Sequence, residues 1–189
     1  MPFVSRLILF VAFGVIFALS GMSCSELSDF DQRSINRELA DSLLGVTNST
    51  QIQVDIIVDG YVRVRAESLV ARTVETEFAS YTRFKGPPVF VTVFDSLGTI
   101  ETTVRSHELV YRSYASVFEF EGDVFVQTNQ NRTLRSEQLE WNEARATISS
   151  PGFVIITSPT DSITGYGFVG DEDLIRYTLS QVTGEFSID

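Results

Sequence analysis

The sequence holds one histidine, His107, and one cysteine, Cys24. With the cysteine placed for acylation, as argued below, one histidine cannot build a Cys–His dyad or a histidine-based metal centre. His107 stands beside Glu108, at a position that related tetrapeptides fill with Glu67 and Glu137. It is expected on the solvent face of a strand. Asp171, Glu172 and Asp173 supply the oxygen ligands calcium prefers, but their loop setting reads as a solvated turn. A glycosidase needs two carboxylates facing one cleft, and no spacing here selects such a pair. The chain is therefore read as a non-enzyme without metal or cofactor. Two basic pairs, Arg63 with Arg65 and Arg83 with Lys85, could meet a phosphate, but exposed cations on strands are usually just solvated. Net charge is −11, and all 25 acidic residues follow Ser23. Such a surface repels nucleic acid and anionic headgroups. An anionic lipid would have to be held by its apolar part.

Cys24 draws its meaning from what precedes it. Arg6 is a minimal basic flank, and residues 7–19 are an unbroken apolar run. That run is short for a spanning helix and right for a signal segment. A cysteine just after such a run is where bacterial lipoproteins are cut and acylated, although Gly21-Met22-Ser23 departs from the usual Leu-Ala-Gly. Two readings stand: a lipidated Cys24, or an uncleaved anchor helix. Both place the remainder outside the cytoplasm on a membrane tether. The organisation expected is 1–23 as signal or anchor, 24–50 as a linker with a short helix over 34–44, and 51–189 as the folded domain.

From Gln51 the apolar period becomes two. Ile52, Val54, Ile56 and Val58 alternate, Asp59-Gly60 signals a hairpin, and Val62, Val64 and Ala66 alternate again. A longer repeat overlies this pattern. Residues 66–69 (Ala-Glu-Ser-Leu), 106–109 (Ser-His-Glu-Leu), 136–139 (Ser-Glu-Gln-Leu) and 165–168 (Gly-Tyr-Gly-Phe) each precede a strand-like stretch and a glycine: Gly86, Gly122, Gly152 and Gly184. The tetrapeptides start 40, 30 and 29 residues apart. Units this small cannot bury an apolar face alone, so they must stack. The expectation is an all-β domain: one elongated β-jellyroll or β-sandwich of about four repeated antiparallel units.

Residues 121–126 (Glu-Gly-Asp-Val-Phe-Val), 134–141 (Leu-Arg-Ser-Glu-Gln-Leu-Glu-Trp), 148–156 (Ile-Ser-Ser-Pro-Gly-Phe-Val-Ile-Ile) and 163–168 (Ile-Thr-Gly-Tyr-Gly-Phe) resemble the OstA-type β-jellyroll repeat. Anchor, linker and one jellyroll in that order resemble the LptC family, and the lipoprotein-style cysteine is similar to its Bacteroidetes form. The resemblance spans about residues 54–187; the long first unit with Lys85-Gly-Pro-Pro88 departs from it. It implies a periplasmic protein tethered to the inner membrane. Such a protein receives lipopolysaccharide from an inner-membrane ABC transporter, holds the lipid A acyl chains in an apolar groove, and passes them to the soluble bridge protein LptA. ATP hydrolysis in the transporter drives the transfer.

Period-two reasoning turns one strand face inward. Its candidates for a lipid groove are Val91, Val104, Leu109, Phe118, Phe120 and Val124, followed by Val126, Leu139, Trp141, Ile148 and Ile155. The same residues could instead pack one another in a closed core, as in a structural or protein-binding envelope lipoprotein. A terminal strand has backbone groups free to pair with another sheet; Tyr177, Thr178 and Leu179 are the candidates for that partner edge.

Overall fold

The computed structural model describes residues 45–76 and 80–187. The apolar run over 7–19, Cys24 and the helix expected over 34–44 lie outside the described residues. No helix among those described is long and apolar enough to cross a membrane.

The described residues form nine strands: β1 Val46–Val58, β2 Tyr61–Glu75, β3 Ser80–Phe94, β4 Ile100–Arg112, β5 Val117–Thr128, β6 Thr133–Asn142, β7 Thr147–Thr157, β8 Asp161–Asp171 and β9 Tyr177–Ser187. They make one antiparallel sheet in simple sequence order, so β1 and β9 are its edges. The all-β expectation holds. Pairing starts at Val46, opposite Val74, so the sheet takes in residues expected in the linker. Asp59-Gly60 makes the turn between β1 and β2, with φ of 51° and 85°. Positive φ at both central residues fits a tight hairpin.

Pairing shifts register in mid-strand at every junction from β2–β3 to β8–β9, between Glu67 and Val70 on β2, Arg105 and Glu108 on β4, Ser136 and Glu140 on β6, and Thr164 and Gly165 on β8. These shifts line up as a crease that divides the strands into two halves. The repeated sequence elements fall on it. On β4 and β6 the first and fourth tetrapeptide residues are both buried: Ser106 with Leu109, and Ser136 with Leu139. On β8 Gly165 and Phe168 repeat the pattern. Three is an odd spacing, so unbroken alternation cannot put both residues inside. One inserted residue, a β-bulge, can. On β5 Gly122 lies midway between buried Phe120 and Val124, and the alternation runs through.

The serine of the tetrapeptide has a physical reason. A bulge takes backbone groups out of the ladder, and buried ones need partners. The Ser106 hydroxyl donates to the Glu108 carbonyl at 2.9 Å. Ser136 bonds the Ser150 hydroxyl at 2.9 Å and donates to the Phe153 carbonyl at 3.1 Å. The first unit departs from the pattern: Leu69 is exposed, Ala71 is buried in its place, and Ser68 donates to the Val70 carbonyl at 3.0 Å.

The inward faces of the two halves differ. Buried side chains of one half are mostly valine, among them Val64, Val91, Val93, Val104, Val124 and Val126. The other half contributes the buried aromatics Phe84, Phe118, Phe120, Trp141 and Phe168. In that aromatic half Tyr111, Phe118 and Trp141 stack across β4, β5 and β6, with ring centroids 4.5 and 4.7 Å apart. Each such pair contributes about 0.5–1.5 kcal/mol beyond area burial.

Candidate functional site

The crease closes one margin of the seam between the halves. At the opposite margin the strand ends meet, and there polar groups reach the apolar interior. A cavity of about 20 Å³ lies between the halves. Its walls are Val93, Val104 and Val126 from the valine half and Phe120, Leu139, Trp141 and Ile148 from the aromatic half; Glu101, Glu172 and Asp173 complete it. That volume is close to the minimum for a single water and far below a ligand pocket of several hundred Å³. The seam is packed shut around it.

The polar margin is built on Glu172, in the loop between β8 and β9. Its Oε1 accepts from Arg63 Nη2 at 3.1 Å, and its Oε2 accepts from the indole Nε1 of Trp141 at 3.2 Å. Arg63 also bonds Glu101 and the Phe94 carbonyl. Arg63 lies near the start of β2 in the valine half, whereas Trp141 lies near the end of β6 in the aromatic half. Glu172 thus joins the two halves. Arg132 adds a second link, donating to the Leu174 carbonyl at 3.4 Å. Leu174 itself is fully buried in the common core, with φ of 55°.

Burial sets the electrostatics here. It pushes the Glu172 carboxyl above the usual carboxylate range, with Arg63 and the Trp141 N–H pulling the other way. Burial likewise raises Glu143, against the attraction of Arg63. For Arg63 burial favours the neutral form, but Glu101, Glu172 and Glu143 together hold the guanidinium more firmly charged than usual.

Val91, Val104, Leu109, Phe118, Phe120, Val124, Val126, Leu139, Trp141 and Ile148 are all buried on the inner faces. Ile155 corrects the sequence reading. It is half-buried, and its neighbours Val154 and Ile156 are fully buried instead. Ile148 and Ile155 are seven residues apart, so continuous alternation cannot bury both, and β7 crosses the crease between Ser150 and Val154 with its parity intact. Tyr177 and Leu179 on edge strand β9 are half-buried against the core, while Thr178 is exposed.

The basic pairs are engaged. Arg65 pairs with Asp55, and Arg83 and Lys85 share Glu108. His107 is exposed, as expected, and lies over Gly122 on the outside of the crease. No group of acidic, histidine or cysteine side chains among the described residues has metal-site geometry. The role of Glu172 was missed. It read as one member of a solvated acidic turn, and nothing in its local sequence points to Arg63 or Trp141.

These features define a class: an all-β protein whose single antiparallel sheet encloses an apolar seam with one ionic margin. Within that class the chain belongs to the LptC family, described as lipopolysaccharide-assembly, LptC-related, whose family model matches residues 67–186. The match covers more than half of the chain and gives the protein a role in lipopolysaccharide transport. The family is periplasmic and associated with the inner membrane. Comparison with the curated proteins found no match.

Proposed function

We propose that this protein is the membrane-tethered periplasmic carrier of a lipopolysaccharide export machine, and that it holds lipid A acyl chains between the valine and aromatic halves. The observation that carries the reading is the seam itself. Residues from opposite halves, Val126 and Phe120 among them, converge on one apolar space. Acyl chains ask only for apolar walls with few hydrogen-bonding demands. The proposal requires the halves to part, because the present cavity has room for about one water.

In this reading an inner-membrane ABC transporter delivers the lipid, and the carrier itself performs no chemistry. Edge strand β9, around Tyr177, Thr178 and Leu179, adds to the sheet of the soluble bridge protein LptA. The tether is a lipidated Cys24 or an uncleaved N-terminal helix, followed by a linker that ends where β1 begins at Val46. The closeness of the packing favours a second reading, a structural or protein-binding envelope lipoprotein whose core never opens.

Photo-crosslinking in cells separates the two. A photoreactive aromatic residue replaces Phe120, and in a second variant Val126. Lipopolysaccharide adducts that depend on ATP hydrolysis by the transporter are the expected result. No adduct from either site, in folded and anchored protein, would establish the closed core.

A further inference from the structure

We infer that the β8–β9 loop is the gate of the seam, latched by Glu172 between Arg63 and Trp141 and plugged by Leu174. The inference rests on the carrier reading of the seam and names the element that must move for loading.

Placement is the first argument. Apolar side chains close the seam along the crease, where every strand is covalently continuous from one half to the other. Only the opposite margin can part without breaking strands. There the β8–β9 loop makes the cross-links: Glu172 to Arg63 at 3.1 Å, and the Leu174 carbonyl to Arg132 at 3.4 Å. Glu172 and Asp173 are themselves part of the cavity wall.

The build of the loop is the second. Asp171 accepts from the backbone N–H of Ile175 at 2.8 Å and of Arg176 at 3.2 Å. The Leu174 N–H donates to the Asp171 carbonyl at 3.2 Å. The loop is therefore held by its own bonds and can swing as a unit, with Asp171 at its base. Its grip on the other half is light by comparison.

Leu174 is the third. It is a non-glycine residue in the left-handed region, a conformation that costs free energy and persists where the surroundings over-determine it. Here the surroundings are the turn itself, closed by the bond from the Leu174 N–H to the Asp171 carbonyl, and the core buries the side chain completely. Swinging the loop with that turn intact withdraws Leu174 and opens apolar surface at the same spot. An acyl chain entering there would cover the surface that the leucine leaves.

The balance of charge is the fourth. Arg63 contacts Glu101 and Glu172 and attracts Glu143. One cation thus faces three carboxylates across the margin. Removing it leaves like charges facing one another from opposite halves, which drives the margin apart.

The test uses the full chain in phosphatidylcholine vesicles, with purified lipopolysaccharide added as the probe and the photoreactive residue at position 120. The initial rate of adduct formation is measured for wild type, Arg63→Met, Leu174→Ala and, as a control on the same strand, Arg65→Met. Hydrogen exchange at the amides of residues 171–176 reports loop opening independently of lipid. Arg63→Met and Leu174→Ala are expected to speed loop exchange and raise the adduct rate roughly tenfold, the worth of about one charge-assisted hydrogen bond; Arg65→Met should match wild type. Faster exchange without faster loading would overturn the gate and leave the seam as the lipid site. Unchanged exchange and unchanged loading would overturn the latch. No adduct in wild type or any variant would remove the carrier reading and the gate with it.

Discussion

Arg63 and Glu172 are 109 residues apart in the chain and 3.1 Å apart in space. Their contact exists only because the sheet folds back along its crease and brings the start of β2 against the loop that follows β8. The pair is three-quarters withdrawn from solvent, with side-chain exposures of 24% and 29%. Arg63→Met strands Glu101 and Glu172 without their cation. It is expected to lower unfolding free energy by about 2 kcal/mol, measured by urea denaturation. Arg65→Met breaks a pair with Asp55 on the adjacent strand and strands one carboxylate where Arg63→Met strands two, so it should cost less.

Adjacent carboxylates should show opposite pH signatures. Burial disfavours the Asp171 carboxylate too, but the N–H groups of Ile175 and Arg176, with the Arg176 side chain, hold its proton affinity below the ordinary value. Its stabilising contribution is present above the usual aspartate range and disappears as pH falls through the depressed value. Glu172 is held above the ordinary value, mainly by burial. Its contribution is full below the usual glutamate range and is lost as pH rises through the raised value. Relative to wild type, Glu172→Gln should therefore gain stability as pH rises from acid to neutral, and Asp171→Asn should lose it. Denaturation at a series of pH values reads both slopes. Parallel behaviour of the two variants would contradict the assignment.

Gly122 is a crease residue whose replacement is forbidden on two grounds. Its φ is 77°, and a β-carbon there would stand 2.6 Å from Nδ1 of His107. Gly122→Ala should cost about 1–3 kcal/mol. Adding His107→Ala removes the imidazole and should recover most of the steric share, its own Cβ staying 3.0 Å away, and leave the backbone share. Full recovery in this double-mutant cycle would mean that the positive φ carries no cost.

Phe118 is fully buried between Tyr111 and Trp141. Phe118→Ala should cost about 3–5 kcal/mol. Ile155→Ala, on the outer side of β7, should cost on the order of 1 kcal/mol. Thermal or chemical denaturation of the two variants tests the corrected facing of β7, since similar losses would return Ile155 to the core.

Gln181→Pro tests the proposed partner edge. The Asp171 N–H bonds the Arg176 carbonyl, so the alternation along β9 turns the Thr178 N–H toward Val169 and that of exposed Gln181 away from β8. Proline at position 181 removes an outward backbone donor and is tolerated at a free edge. Weaker capture of LptA by a folded, tethered variant is the expected outcome. Undiminished capture would move the contact away from β9.

The sequence by itself determined the β class, the hairpin at Asp59-Gly60 and the positions of the crease. These are local properties: period-two burial, turn chemistry at two residues, and a repeated tetrapeptide whose spacing of three demands a bulge. Most of the inner face was legible too, because the choice between faces is binary and apolar content decides it. Ile155 was misplaced because an isoleucine that alternates out of phase with its strand looks no different from one in phase until parity is carried through the crease. Tertiary structure alone decided that the aromatics gather in one half and the valines in the other, and that Glu172 ties the halves together. Which half faces which depends on how far each strand bends, and that bend is a collective result of nine strands. The partners of an arginine near the start of β2 are then set by distance in space, for which separation along the chain offers no guide.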